Sequence, residues 1–565
     1  MKKLLALLLA VVMIVGLMAA CNGNNDDTKP SEDPKPSQGS SADTQPQATD
    51  PATEPTREHE ERYGGHLNVP ITVNIVNMDP YKNTNVWRYM WTTCVFENVL
   101  TRDANNNIQP GVCNFEISED KLTVKLWVRE GKTFHDGSPV EIEDVKASLE
   151  RSCGGLFNSG KNYVAALLES STIEGDVLTL KFHTYNEKTL YYLAAYQTWL
   201  CVIPKEICDK WGQEIITDPA DAIGTGPYKV TEWENSVYLT VEKYDGYVTQ
   251  AEDEGKTGAA AAKYGYMDSI TFHSYSDLSN AVIATLAGQY DLVEDMQDEM
   301  KPIAEAENVI ETAFDSNTAM SILFNCKGTN NVCAKYPSLR KAVCAAIDFN
   351  EYAFVRHGEG GFIHGGNFVL GDTYATDVFD NADYFGPTNL DAVAKYLEEA
   401  KKEGWDGVEP VFQSWSSSAG EYDTVLIRQY MERAGIPYEQ QILESGANSE
   451  YTSELNNNWC FRISFPGMTY TPTATTNDFM AALYNSPERD AILAEMNKVT
   501  LGSDEYMKLW EDLANQMVDD CQAVNMGFLV WSWHHNGDLN INDSGTQRYF
   551  FNSYWNDPEN HPKKG

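Results

Sequence analysis

The hydrophobic pattern falls into three regimes along the chain. Leu4 to Leu17 is an almost unbroken apolar run. From Asn22 to Arg62 there is no aromatic residue and no apolar residue larger than Ala. Beyond Tyr63 the pattern becomes periodic. Leu67 to Val76 and Leu122 to Val128 alternate apolar and polar residues, which predicts half-buried strands. Phe134-His135-Asp136-Gly137-Ser138-Pro139 carries turn formers, and Ile142, Val145 and Leu149 then fall on one face of a helix. Ser338 to Asp348 reads as a helix with Leu339, Val343, Ala346 and Ile347 inward. Asp391 to Glu403 reads as another, with Val393, Leu397 and Ala400 inward and Gly404 as its stop. Thr424 to Ala434 is a third, ended by Gly435, with Ile436 opening an extended segment. Helices alternating with short strands imply α/β layers.

The first two regimes bear on location. Lys2 and Lys3 precede the apolar run and Met18-Ala19-Ala20-Cys21 closes it, the layout of an export signal. Ala-Ala before Cys resembles a bacterial lipobox, in which Cys21 becomes a lipidated first residue and residues 1–20 are removed. Residues 21–63 then form a Pro-, Ser- and Asp-rich tether. Such a segment buries too little apolar surface to offset its chain entropy, so it is expected to stay disordered. No later stretch is apolar enough to span a bilayer. The lipid on Cys21 is therefore the expected membrane attachment, and the body is expected outside the cytoplasm.

The residues after the tether exceed what a single core usually supports, so more than one lobe is expected. Almost all of the formal net charge of −41 falls on them. That excludes a nucleic-acid partner, which needs a basic surface. Besides Cys21 the chain holds Cys94, Cys113, Cys153, Cys201, Cys208, Cys326, Cys333, Cys344, Cys460 and Cys521. Cys344 sits in an apolar helical face and reads as a small buried hydrophobe. Cys326 and Cys333, around a Gly-Asn-Asn loop, are the candidate disulfide. No Cys-x-x-Cys occurs, so thiol redox catalysis and Cys-rich zinc sites find no support. His534 and His535 are adjacent, not spaced as a helical metal pair. There is no Gly-x-Ser-x-Gly elbow and no His-Glu-x-x-His. Gly224-Thr225-Gly226 lacks the Lys-Ser or Lys-Thr of a phosphate loop. No enzyme, metal or cofactor is expected.

Several motifs in order resemble the family 5 extracellular solute-binding proteins, the oligopeptide- and dipeptide-binding receptors of ABC importers. Phe134-His135-Asp136-Gly137, Glu143-Asp144-Val145 and Ser148-Leu149-Glu150-Arg151 resemble that family's signature. Glu141 and Ile142 stand where Thr and Ala are usual, which removes a capping hydroxyl. Met78-Asp79-Pro80, Phe96-Glu97-Asn98-Val99-Leu100 and Gly224-Thr225-Gly226-Pro227-Tyr228 match further segments. The two glycines of the last are expected to serve an irregular strand entry that other residues would strain. Gly288-Gln289-Tyr290-Asp291-Leu292 and the helix around Arg340, Ala342, Val343, Ala346, Ile347 and Asp348 complete the set, with Lys401-Lys402-Glu403 additional. The likeness runs from about Gly65 to Trp510 and Met517.

The resemblance implies an α/β, two-lobed, periplasmic-binding-protein-like (type II, Venus-flytrap) fold with an extra subdomain in lobe one. It implies lobe one from residues 64–323 plus about 525–565, with the subdomain at about 90–190, and lobe two from 324–524. Phe324, Asn325, Asn525 and Met526 are the implied hinge positions. The implied function is capture of a small solute, an oligopeptide first, between closing lobes, and delivery by a monomer to an ABC permease. An oligosaccharide or other small solute, or a sensor role without transport, is the alternative.

In the peptide-binding branch an Asp in Gly-Trp-x-x-Asp-Tyr-x-Asp-Pro pairs with the peptide ammonium. Phe465-Pro466-Gly467-Met468-Thr469-Tyr470-Thr471-Pro472 matches that segment, with Thr469 and Thr471 where the carboxylates belong. Either another acid supplies the charge or the solute has no free N-terminus there. Motif position gives Trp87, Trp415, Ser416, Thr469, Tyr470, Trp531 and Trp533 as candidate ligand contacts.

Overall fold

The computed structural model describes residues 59–563 except 72–73, 83–85, 105–106, 157–160, 162–163, 186, 195–199, 276–277, 295, 297–299, 328–330, 359, 370–372, 416–417, 444–458, 469–471, 473–482, 501 and 542–548. The expected export signal, Cys21 and most of the expected tether lie outside the described residues.

The chain begins with β1 (His66–Ile71), shorter than the alternation suggested, and continues into helix α1 (Val86–Val95). A small hairpin of β2 (Leu100–Arg102) and β3 (Ile108–Pro110) follows. Next come β4 (Cys113–Ile117), β5 (Thr123–Val128), α2 (Ile142–Arg151), β6 (Leu168–Glu174) and β7 (Val177–Phe182). These four strands form an antiparallel sheet in the order β4-β5-β7-β6. The alternation read in β5 buries Val124 and Leu126 against Val145 and Leu149 of α2, in a core of its own. β8 (Tyr228–Glu234), β9 (Tyr238–Lys243) and β10 (Ser269–Ser274) join β1 in the order β1-β10-β9-β8. Leu67, Val69, Val241, Ile270 and Phe272 pack there against Trp91 and Cys94 of α1.

Next come β11 (Leu292–Glu294), the long β12 (Val309–Phe324), α3 (Pro337–Ala346), α4 (Phe349–His357), β13 (Phe362–His364) and α5 (Leu390–Glu403). They are followed by β14 (Val411–Trp415), α6 (Ser418–Ala434), β15 (Glu439–Leu443), β16 (Phe461–Ser464), α7 (Pro487–Met496), α8 (Asp504–Asp520) and β17 (Ala523–Asn536). Seven strands form one sheet, in the order β11-β17-β12-β16-β14-β15 with β13 also on β17. Ile322 and Phe324 face one core with α3, α5 and α6, while Leu323 faces another with α8. α6 begins at Ser418, ahead of the apolar stripe that marked it in the sequence, because its first turns, with Gly420, Glu421, Tyr422 and Asp423, show no such stripe to read. Asp348, expected inside the preceding helix, instead caps α4, its Oδ1 accepting from Glu351 N at 2.9 Å. Finally β18 (Leu539–Asn540) pairs with β19 (Tyr554–Trp555). Tyr549, Phe550, Phe551 and Trp555 return to the core of β1.

The signature motifs are joined to one another inside the first lobe. Asp79 of the Asp-Pro turn accepts from Arg151 at 2.6 Å and from Ile216 N at 3.1 Å. His135 Nδ1 accepts from Gly224 N at 3.2 Å, and Nε2–H donates to Gly226 O at 3.0 Å, which selects the Nε2–H tautomer. Glu97 takes Lys132 at 2.7 Å, Lys263 at 3.1 Å, Thr225 at 3.1 Å and Tyr247 at 3.1 Å. The motifs thus hold the lobe together.

Three expectations change. Gly224 and Gly226 are required by close approach and not by backbone strain. A Cβ on them would lie 2.1 Å from Val95 O and 2.4 Å from Cys94 O. Helix α2 does not lack a cap: Asp144 Oδ2 accepts from Glu141 N at 2.8 Å. Cys326 and Cys333 are both buried free thiols, not a disulfide. Cys333 is held in the short helical turn Val332–Lys335, whose cap Asn331 accepts at Oδ1 from Cys333 N at 2.8 Å.

Candidate functional site: crossing strands and strand ends

β12 and β17 run antiparallel and serve both lobes. At one end Phe314 and Trp533 pack with the core of β1; further along, Ala319, Met320 and Leu529 belong to the second-lobe cores. Between these stretches the register slips, between Asp315 and Ala319. Ser316 Oγ accepts from Thr318 N at 2.9 Å, and Ala319 N donates to Pro466 O at 2.9 Å. A bulge bends a strand and increases its twist. The passage between lobes therefore lies here along β12. Phe324, Asn325, Asn525 and Met526 sit beyond it, fully buried inside the second lobe.

An aromatic row follows the crossing. Phe314 meets Trp531 edge-on at 6.2 Å and stacks on Trp533 at 6.3 Å, and Trp533 meets Phe550 at 5.8 Å. Trp533 is 3 % exposed, so it is part of the first-lobe packing; Trp531 is half-buried beside the second.

β14 runs parallel to β15 and to β16, so the ends of all three strands share one edge, at Trp415, Leu443 and Ser464. In open α/β sheets such an edge is where ligands sit. Phe465 follows β16 directly and stays 39 % exposed. His357 meets its ring edge-on at 6.1 Å and stacks on Phe362 at 6.2 Å, and Phe362 meets His364 at 5.0 Å. The guanidinium of Arg356 lies 5.6 Å from the Phe465 ring centre. Burial, with Arg356 adding to it, lowers His357 to about 4, so the imidazole is neutral at neutral pH. The nearby acid is already engaged: Asp423 pairs with Arg356 at 2.8 Å and accepts from the Tyr352 hydroxyl. Burial lifts the Asp423 carboxyl above its ordinary value against the field of Arg356. The acid described beside Phe465 is thus committed inside the lobe, and the exposed ring there is aromatic.

Trp415 ends β14 as the motif position implied, and Trp87 lies in the first turn of α1; their side chains are outside the description. Ser416, Thr469 and Tyr470 lie outside the described residues. Sequence reasoning did not single out Phe314, His357, Phe362 or Phe465 as contacts. Phe465 had a signal, an aromatic residue just after an apolar strand, but His357 meets it from α4, and Phe362 stacks on His357 from β13, which pairs with β17.

Two α/β lobes joined by a pair of crossing strands, with a layer added to the first, make this a two-lobed binding protein of the type II periplasmic class. The chain belongs to the bacterial extracellular solute-binding proteins, family 5, whose model matches residues 107–490. The ABC transporter substrate-binding protein CtaP from Listeria monocytogenes shares its fold with a TM-score of 0.70 at 18 % identity, covering 88 % of this chain and 100 % of that one. The oligopeptide-binding protein AppA from Bacillus subtilis, solved with a nonapeptide, gives 0.68 at 16 % identity over 87 % of this chain and 99 % of its own. Glutathione-binding protein GsiB from Salmonella paratyphi A is 24 % identical over 183 residues, 32 % of this chain. That alignment spans only about a third of GsiB's length, 35 %. Among the described residues no helix is long and apolar enough to cross a membrane.

Proposed function

We propose that this protein captures an oligopeptide between its two lobes and delivers it to an ABC permease, held at the membrane by a lipid on Cys21. Membership of family 5 supports solute capture. The observation that carries the reading is the bulged crossing at Asp315–Ala319 beside a half-exposed aromatic edge. A closed state gains contacts there that an open one lacks, so solute shifts the population toward closure. Extended peptide backbone pairs with main chain at such an edge and leaves aromatic faces for its side chains. Lobe one is then built from residues 64 to about 315 and about 530–565, with the bend along β12 at 315–319.

The second reading is an oligosaccharide or other small solute. It is favoured by Thr469 and Thr471 in place of the two acids, and by rings suited to stacking. Native mass spectrometry of freshly purified protein, followed by identification of what dissociates, separates the two. Mixed short peptides are expected; glycans or a single non-peptide solute would replace the first reading.

A further inference from the structure

Five cysteines share the second-lobe core: Cys326, Cys333, Cys344, Cys460 and Cys521. All are buried and free. Burial accounts for a cysteine as a small apolar side chain, but it does not account for thiols that face each other. The Sγ of Cys344, on α3, lies 3.9 Å from the Sγ of Cys521, 177 residues away in sequence. Cys521 is the turning point between α8 and β17. Its backbone is left-handed, at φ 46° and ψ 46°, and its N–H closes α8 on Met517 O at 3.0 Å. Arg340, also on α3, donates to the carbonyls of Asp520 and Cys521 and to Cys333 O. The sulfurs are therefore presented by two pieces of backbone already tied together.

We propose that Cys344 and Cys521 form a disulfide in the exported protein, stapling α3 to the root of crossing strand β17. The sulfurs already touch, so closing to a bond of about 2.05 Å is a displacement of about 2 Å. The oxidant is a carrier protein's disulfide, of the thiol–disulfide exchange class. The Cys521 thiol loses its proton and the thiolate attacks one carrier sulfur, releasing the other as thiolate. The Cys344 thiolate then attacks Cys521 Sγ and expels the second carrier thiolate. Two thiols here lose two protons and two electrons, and the carrier disulfide becomes two thiols. The family is extracytoplasmic, where such exchange operates. Both thiols are enclosed in the finished fold, so exchange precedes closure of this core.

The test is thiol mapping of the full exported protein, alkylated under denaturing conditions without reductant at lysis and then digested. A cross-linked peptide pair holding Cys344 and Cys521 is expected, with an intact mass about 2 Da below that of the reduced protein. Reduction is expected to lower Tm by about 2–5 °C, and a C344A/C521A variant is expected to lose that sensitivity. Alkylation of every body cysteine overturns the proposal, as does a link joining another pair such as Cys333 and Cys460. Should the variant not fold, the wild-type map decides alone.

Discussion

Arg151 and Asp79, 72 residues apart in sequence, form an ion pair at 2.6 Å in which their side chains are 2 % and 0 % exposed. One closes the signature helix and the other opens the Asp-Pro turn. Arg151 also donates to Glu214 O at 2.8 Å and lies over the ring of Tyr81 at 5.3 Å. Removing one partner leaves the other charge buried alone. Arg151→Ala and Asp79→Ala are each expected to cost about 3–5 kcal/mol in urea unfolding. The double variant should cost much less than the sum, since each single change already breaks the pair.

Glu97 is expected to matter as much. Burial alone would raise its carboxyl, but Lys132 and Lys263 overturn that and hold it far below its ordinary value of 4.5. Burial draws Lys132 down while Glu97 opposes the shift. The folded value lies below the unfolded one, so this contribution is complete above pH 4.5 and fades as the pH falls below it. Glu97→Gln should destabilise by about 3–5 kcal/mol at pH 7, and by less at pH 3, in parallel denaturant titrations.

Histidine 135 sets a second acid limb. Burial lowers it from 6.5 to about 4, against the bond to Gly226 O. The unfolded chain binds the proton more readily, so stability is full above pH 6.5 and is lost as the pH falls toward 4. The loss amounts to at most about 3 kcal/mol. His135→Gln should be less stable than wild type at pH 7 yet lose less between pH 7 and 4.5, as thermal melts across that range will read.

Close approach predicts a contrast among glycines. Gly224→Ala would place a methyl 2.1 Å from Val95 O, and rigid backbone cannot yield. It is expected to cost several kcal/mol, about 3 or more, or to abolish folding. Gly365→Ala meets nothing within 4 Å and should change stability by less than about 0.5 kcal/mol. Expression level and Tm of the two variants, side by side, check this.

At the strand edge, Phe465→Ala is expected to weaken binding of the solute recovered from the native protein by about tenfold or more. The Tm of the empty protein should move little, because the ring is already 39 % exposed. Calorimetry with that solute reads the first effect and a ligand-free melt the second.

The chain's local chemistry determined its elements and its family. The alternation at Leu122–Val128, the apolar stripe of Ile142, Val145 and Leu149, and the Gly404 stop are all nearest-neighbour preferences, and they recur in the fold. The order of its motifs was likewise legible, and with it the two-lobed class. What those motifs do was not. That His135 serves Gly224 and Gly226, and Glu97 serves Lys132, depends on residues brought together across long stretches of chain. The same holds for the site. Trp533 reads as a ligand contact from position alone, but pairing with Thr312 and stacking on Phe314 turn it inward. Phe465 and His357 become neighbours only once β16 lies in its sheet and α4 packs beside it. Periodicity records which face a residue takes within its own element; which other element covers that face is set by packing the whole chain.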